Sequence, residues 1–438
     1  MKRYLVLFVF SILVTNIFNT TSLPVREVDD GIPYPTDGMT SRVTIKIQED
    51  EDYAYYNIPG NGTKANPYII ENYFLNLNGS DKNFALEIWN KDCYTIIRNC
   101  VFQGRNDLRF DSGPDFYYMR MEGVGIQLYN VDNVDIYDCS FYIYQEGIAL
   151  ISCENVTIKD CSFQSISNQL ENPDFPPWEG TAIMLHEMNR DVVVSGNHIM
   201  HTGHAIALAE TRHTVIENNT MVECIVGVES FHFSQYNLIT RNSAIFNREG
   251  LVIARSTYTN VTYNNCSYNT LAGIVLDELS SDIYISMNVV EHNNESATSE
   301  SLPASLASQD LVMGLGIWIA EGSSGNTIER NNLIGNEINA KNDVDGNLYD
   351  YNYYSDYTGL DEDNDGIGDT PYNVPGASPT DDVHPLSEAL EIHFTTVDTN
   401  TVTPTVPEDL GMDIMTIVIA GFSLVAVVVI VGIVVRKR

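Results

Sequence analysis

Hydrophobic and polar residues alternate along most of this chain in runs too short for helices, and the runs repeat. One eight-residue phrase recurs as TIIRNCVF, VDIYDCSF, VTIKDCSF, VVVSGNHI, TVIENNTM, NLITRNSA, VTYNNCSY, IYISMNVV, NTIERNNL and NLYDYNYY. Its sixth position is always Asn or Cys: Cys100, Cys139, Cys161, Asn197, Asn219, Asn242, Cys266, Asn288, Asn331 and Asn352, with Asn72 of YIIENYFL opening the series. From Cys100 to Asn352 the repeat is 21 to 24 residues long, apart from three longer gaps. A second phrase follows in most units, as Gly125-Ile126-Gln127-Leu128, Gly147-Ile148-Ala149-Leu150, Ala205-Ile206-Ala207-Leu208 or Gly273-Ile274-Val275-Leu276. Two short strands per unit, separated by Gly and Asn turns, predict one coil of a parallel β-solenoid. Helical repeats would need a 3.6-residue period, and leucine-rich repeats a helix-forming half; neither is present.

Coils stack about 4.8 Å apart, so one Asn per coil can bond its amide to the amides above and below. Cys is small enough to share that slot as a buried thiol. In-register stacking aims neighbouring Cβ atoms poorly for a disulfide, so Cys139 and Cys161 are expected as packed thiols.

Candidate chemistry sits at four places. In Asp361-Glu362-Asp363-Asn364-Asp365-Gly366-Ile367-Gly368-Asp369, alternate carboxylates before a Gly turn can wrap a Ca²⁺, with Asp361, Asp363 and Asp365, the Ile367 carbonyl and Asp369 as ligands. Tyr372 replaces the closing Glu of an EF-hand, which argues for a structural ion. Three insertions, about Gln103 to Glu122, Gln164 to Gly180 and Asn293 to Gly314, leave after the first strand and return before the second. They build one elaborated face, on which Tyr117, Tyr118, Phe175 and Trp178 offer platforms for sugar rings, beside Asp111, Asp115 and Asp174. Two residues beyond the second phrase, Glu187, Glu210, His232, Arg255, Glu278 and Glu321 fall in one column. That column is a solvated edge, a saccharide groove, or a source of catalytic carboxylates, with Glu187, Glu210 and Arg255 as the catalytic candidates. Finally, His198, Met200, His201 and His204 crowd one coil between His186 and His213. Such ligands suit copper, but strand alternation divides them, so copper is not expected.

The strand and turn pattern resembles the NosD-like repeat family of right-handed parallel β-helices. Gly60-Asn61-Gly62-Thr63 with Asn66-Pro67-Tyr68-Ile69-Ile70-Glu71-Asn72 is similar to the family's first coil. Asn352-Tyr353-Tyr354-Ser355-Asp356-Tyr357, Pro371-Tyr372 and Asp382-Val383-His384-Pro385-Leu386 resemble its closing segment. The resemblance implies carbohydrate binding or sugar hydrolysis, and the family includes a periplasmic copper-handling protein. It speaks for fold more than activity.

The ends and the composition complete the reading. Lys2 and Arg3 precede an apolar run and small residues, the layout of a secretory signal over 1–22. Uncharged residues 414–435, within a transmembrane helix placed at 413–435 and followed by the basic tail 436–438, are long enough to span a bilayer. The expected order is signal peptide 1–22, N-terminal cap 23–66, an all-β right-handed parallel β-helix of about ten to eleven coils over 67–354, and a cap with the acidic loop over 355–386. A Thr-rich stalk at 387–412 then leads to the C-terminal transmembrane helix of a single-pass type I membrane protein. Sequons at Asn61, Asn78, Asn155, Asn218, Asn260, Asn265 and Asn294 suit an extracellular chain. With 23 Lys+Arg against 59 Asp+Glu, the net charge of −36 excludes a phosphate-tracking nucleic-acid partner. The partners expected are the cell membrane and a polysaccharide or glycoprotein. The leading reading is recognition of carbohydrate or an envelope partner through the insertion face. The alternatives are a polysaccharide hydrolase or lyase, a structural envelope protein, or a copper-handling protein.

Overall fold

The computed structural model describes residues 38–104, 123–142, 146–164, 180–294, 314–320 and 322–393. The expected signal peptide 1–22, residues 394–412 of the expected stalk and the expected membrane-spanning segment 413–435 lie outside them, as do Tyr117, Tyr118, Phe175, Trp178, Asp111, Asp115, Asp174 and Glu321. Among the described residues no helix is long and apolar enough to cross a membrane. The chain divides into Met1–Met39 and Thr40–Arg438, and the second unit carries the architecture.

Each coil contributes three strands, not two. The eight-residue phrase bends round a corner: in 95–102, Thr95–Arg98 lies in one sheet and Val101–Gln103 begins a strand in the next. A first sheet of short strands (such as His198–Met200), a second of six-residue strands (His204–Ala209) and a third (Val215–Glu217) follow one another round the coil. Every pairing between coils is parallel and in register, as in Ile183↔Ile206 and Ile206↔Val228. Eleven strands stack in the second sheet among the described residues, which agrees with the expected coil number.

The corners form because the residue before the ladder slot takes a left-handed backbone: Asn99, Asp138, Asp160, Asn218 and Arg241 have φ between 48° and 54°. Asn and Asp tolerate that region better than most residues. Inside, apolar columns run the length of the stack. Ile126, Ile148, Ile183, Ile206, Val228, Leu251, Ile274 and Ile317 are all fully buried, each such burial contributing roughly 1.5–3 kcal/mol. Phe102, Phe141 and Phe163 stack face to face with centroids 4.7 and 4.6 Å apart. Opposite them the second phrase needs its Gly: a Cβ on Gly147 would meet the Ala182 carbonyl oxygen at 2.5 Å and the Phe163 ring at 2.8 Å.

The Asn ladder exists, with two corrections. Asn219 Oδ1 accepts from the Asn197 backbone N–H at 3.0 Å and from its Nδ2 at 2.9 Å, while Asn219 Nδ2 donates to Val194 O and Asn242 Oδ1. The pattern then runs Asn242, Asn264, Asn288, Asn331, Asn352. Cys266 is therefore not a ladder residue; Asn264 is, and Cys266 lies two positions on, within the first-sheet register, where it packs in the core. Asn72 is also displaced: it occupies the left-handed corner beside Asn99 (φ 60° and 48°), and Tyr73 follows it where Cys100 follows Asn99. Beyond Asn352 the ladder ends on a carboxylate. Buried Asp382 Oδ2 accepts from the Asn352 N–H and Nδ2, both at 3.0 Å, and from Tyr354 Oη at 3.1 Å. A second ladder, Asn247, Asn269, Asn293 and Asn336, holds the corner between the first and second sheets. All seven cysteines are free thiols, six of them buried.

Candidate functional site

The second sheet has one face in the core and one turned away from it, and on the second face the fold places side chains that packing does not require. Two outward columns can be followed by register. The first runs Val124, Glu146, Thr181, His204, Val226, Glu249, Ala272, Leu315, Ile338. The other runs Glu87, Gln127, Ala149, Met184, Ala207, Glu229, Val252, Val275, Trp318, Lys341. Leu271, Ala272, Val275 and Leu315 form a hydrophobic cluster separate from the core, which marks these columns as the other face.

The titratable groups gather on the N-terminal coils of this face. His204 Nδ1 lies 2.8 Å from Glu229 Oε2, an ion contact off the line of a straight hydrogen bond. His186 Nε2 lies 3.4 Å from Glu146 Oε1. For both imidazoles burial alone would lower the pKa, but the facing carboxylates outweigh it and raise it: Glu229 then Glu249 for His204, Glu146 then Glu187 for His186. Glu249 is itself pushed up, first by burial, with Glu229 and Asp277 adding and Arg248 and His204 opposing. A carboxyl shifted upward beside a paired carboxylate is the electrostatic arrangement of an acid and a base. Sequence reasoning missed this strip because it read the column beyond the second phrase. Its signal was one residue upstream of the phrase, where Glu146, His204 and Glu249 precede Gly147, Ala205 and Gly250.

The column that was read, Glu187, Glu210, His232, Arg255 and Glu278, follows the same strands at the next corner, all with positive φ. Glu187, Glu210, Arg255 and Glu278 are exposed, and Arg255 Nε binds Glu278 Oε2 at 2.9 Å. The histidines are dispersed: His198 in the first sheet, His201 at the corner 2.5 Å from Glu223 Oε2, His204 in the second sheet, His213 stacked on Tyr236. Among the described residues, the one group of His, Cys, Asp or Glu ligand atoms close enough for a metal is Asp361, Asp363 and Asp365, within 4.8 Å of one another. Asp361 accepts from the Asp365 and Gly366 N–H groups, and Asp369 accepts from Glu362 N–H. The flanks of the insertions meet at one corner. Gly104 and Gly123, Gln164 and Gly180, Asn294 and Gly314 each join the end of a first-sheet strand to the start of a second-sheet one.

Residues 98–306 match the family model described as periplasmic copper-binding protein (NosD). No curated relative matches the chain. Among solved structures it is similar to the A-module of Azotobacter vinelandii mannuronan C-5 epimerase AlgE4 (13% identity, 72% of this chain, 92% of that one, TM-score 0.45). It is also similar to a tailspike protein of E. coli bacteriophage HK620 (10%, 66%, 58%, 0.44) and to an exopolygalacturonase from Thermotoga maritima (8%, 71%, 79%, 0.40). The repeat phrase and the stacked Asn corner make this chain a parallel β-helix, and over residues 98–306 it is similar to the NosD family model.

Proposed function

We propose that the protein is a cell-surface β-helix that recognises polysaccharide along the outer face of its second sheet, held to the membrane by the C-terminal segment 413–435. The observation that carries this reading is the strip of half-buried His186, His204, Glu229 and Glu249, backed by buried Gln127 and Glu146, on a sheet beside the corner from which every long insertion emerges. Sugar hydroxyls are recognised by such groups, each able to donate or accept. The seven sequons beyond residue 22 support the same face, since none falls within a second-sheet strand.

Retention of the purified full-length protein on a panel of immobilised polysaccharides tests the reading. Binding to at least one glycan, lost in Gln127→Ala/Glu229→Ala, is expected; absence of binding throughout, or binding indifferent to these changes, would sink it. We further propose that Asp361, Asp363 and Asp365 hold a structural Ca²⁺ in the C-terminal cap, supported by their mutual distance of no more than 4.8 Å. Saturating Ca²⁺ should then raise the melting free energy by up to about 2.7 kcal/mol at a hundredfold excess over Kd, and Asp363→Asn should abolish the gain.

A further inference from the structure

The corner leading from the second sheet into the third carries a column that folding alone does not explain. Its members stand two residues before the bridged residues Arg190, Arg212, Gln235, Thr257, Ser281 and Ser324, and so are Met188, Glu210, Phe233, Arg255, Leu279 and Gly322. All six have left-handed φ, between 47° and 89°. On earlier coils the same column holds Asn130 and Ser152, which also have positive φ. Asn and Gly are the residues this backbone favours. Between them stand five large side chains that adopt it only against steric resistance. Met188, Phe233 and Leu279 are moreover 69%, 67% and 71% exposed. Single exposed apolar residues are ordinary, but these three recur on alternate coils of one column.

The alternation is built into the corners. Measured from the paired residues Leu185, Leu208, Ser230, Ile253 and Leu276 to the bridges, the corners of Met188, Phe233 and Leu279 are one residue longer than those of Glu210 and Arg255. The extra residue carries an apolar side chain outward on every second coil, and a long charged one occupies each shorter corner between. Along the stack the order is apolar, acidic, apolar, basic, apolar. A half-turn about an axis that crosses the column at Phe233 preserves that order.

We propose that this column is a self-association surface, on which a second copy of the chain packs antiparallel about a two-fold axis at Phe233. Phe233 then meets Phe233, Met188 meets the second copy's Leu279, and Glu210 meets its Arg255, each pair occurring twice. An isologous contact requires such a self-complementary patch. The spacing points to the same occupant, because a stack with one side chain per coil, about 4.8 Å apart, is matched along its length by another of equal spacing. A parallel pair is disfavoured, since it sets Glu210 on Glu210 and Arg255 on Arg255. Arg255 already holds Glu278 through Nε at 2.9 Å, and the N–H groups at the end of its guanidinium remain to donate to the second copy's Glu210. Two effects oppose the contact. Glu187 and Glu278 of the two copies approach each other, and the net charge of −36 repels at long range, though salt screens it beyond about 8 Å. The contact spans four coil spacings, about 19 Å, so the dimer is reversible and concentration-dependent. The sugar-binding reading plays no part in this inference.

The test follows the mass of the full-length protein in detergent at physiological salt, by sedimentation up to about 100 μM. Wild type is expected to pass from monomer to dimer. Phe233→Asp, which sets two carboxylates face to face, should abolish the dimer while glycan retention and the circular dichroism spectrum stay unchanged. Arg255→Glu should weaken association by about tenfold or more, and Glu210→Arg/Arg255→Glu should restore it. A short thiol cross-linker reads the orientation, with wild type as the control for Cys93. Phe233→Cys should join to itself, and Met188→Cys should join only to Leu279→Cys in a mixture of the two. A wild type that stays monomeric, a dimer indifferent to Phe233→Asp, or Met188→Cys joined to itself overturns the inference and leaves the sugar-binding reading standing. Glycan retention lost in Phe233→Asp would make the column part of a glycan site and also overturn it.

Discussion

The two halves of the second sheet share register and inward columns, yet the titratable side chains of the outer face gather on one half. On the N-terminal coils the outward positions include Glu87, Gln127, Glu146, His204, Glu229 and Glu249 among smaller or apolar residues such as Ala149, Ala207 and Val226; on the C-terminal coils they are Ala272, Val275, Leu315, Trp318 and Ile338, with Lys341 at the end. The apolar half is buried as a cluster of its own, with Leu271, Ala272, Val275 and Leu315 at most 3% exposed. Identical backbone therefore accepts either set, and stacking geometry chooses neither. What the fold demands is confined to the inward columns and corners; what it leaves free on the outside is where selection for binding can act.

The largest effect is expected at a position both halves need alike. Asn264→Ala leaves the Asn242 N–H and Nδ2 and the Ile239 carbonyl without their partners, a cost of about 3 kcal/mol or more, read as a fall in melting temperature. Next come exchanges between the halves. Leu271→Glu puts a carboxylate into the apolar cluster and should destabilise by about 2–4 kcal/mol, whereas His204→Leu/Glu229→Leu, which replaces both members of the pair, should change stability by less than about 1 kcal/mol while abolishing glycan retention. Equal destabilisation by the two exchanges, measured by urea unfolding, would erase the difference between the halves.

A smaller effect separates them by pH. Glu249 is raised from its ordinary 4.5 by burial foremost, so its contribution is complete below that value and is lost as pH climbs through the raised one. Glu249→Gln should accordingly raise the melting temperature near neutral pH and leave it unchanged in acid. His204 has the same sign from 6.5 upward, since Glu229 and Glu249 outweigh its burial. No such slope is expected from changes in the apolar half. The smallest effect belongs to the exposed edge: Arg255→Ala removes an ion pair open to solvent, worth no more than about 1 kcal/mol, and should leave retention untouched.

The fold was legible because a period of 21 to 24 residues and strict alternation have one economical solution. The third strand was hidden inside the eight-residue phrase, since a corner with a left-handed residue does not interrupt the sequence pattern. The slip from Asn264 to Cys266 has a local cause: 261–268 carries Asn264, Asn265 and Cys266 in succession, and alignment on Cys prevailed over hydrogen bonding. The second ladder escaped because Asn247, Asn269, Asn293 and Asn336 lie between the phrases instead of within one. As for the site, alternation placed residues on a face but could not tell which end of a strand would be covered. The exposed column beyond the phrase and the half-buried one before it look alike in sequence.

Asp382 gives the stack a property that no coil has. Each Asn both receives and offers amide hydrogens, so a column of them can in principle grow by adding another chain end to end, as fibres do. A carboxylate only receives. With Asp382 seated under Asn352 and the strands Tyr372–Val374 and Thr380–Asp382 paired antiparallel beside it, the column has no donor left to extend. The ladder thereby stops within the chain itself, on a group that accepts amide hydrogens and offers none.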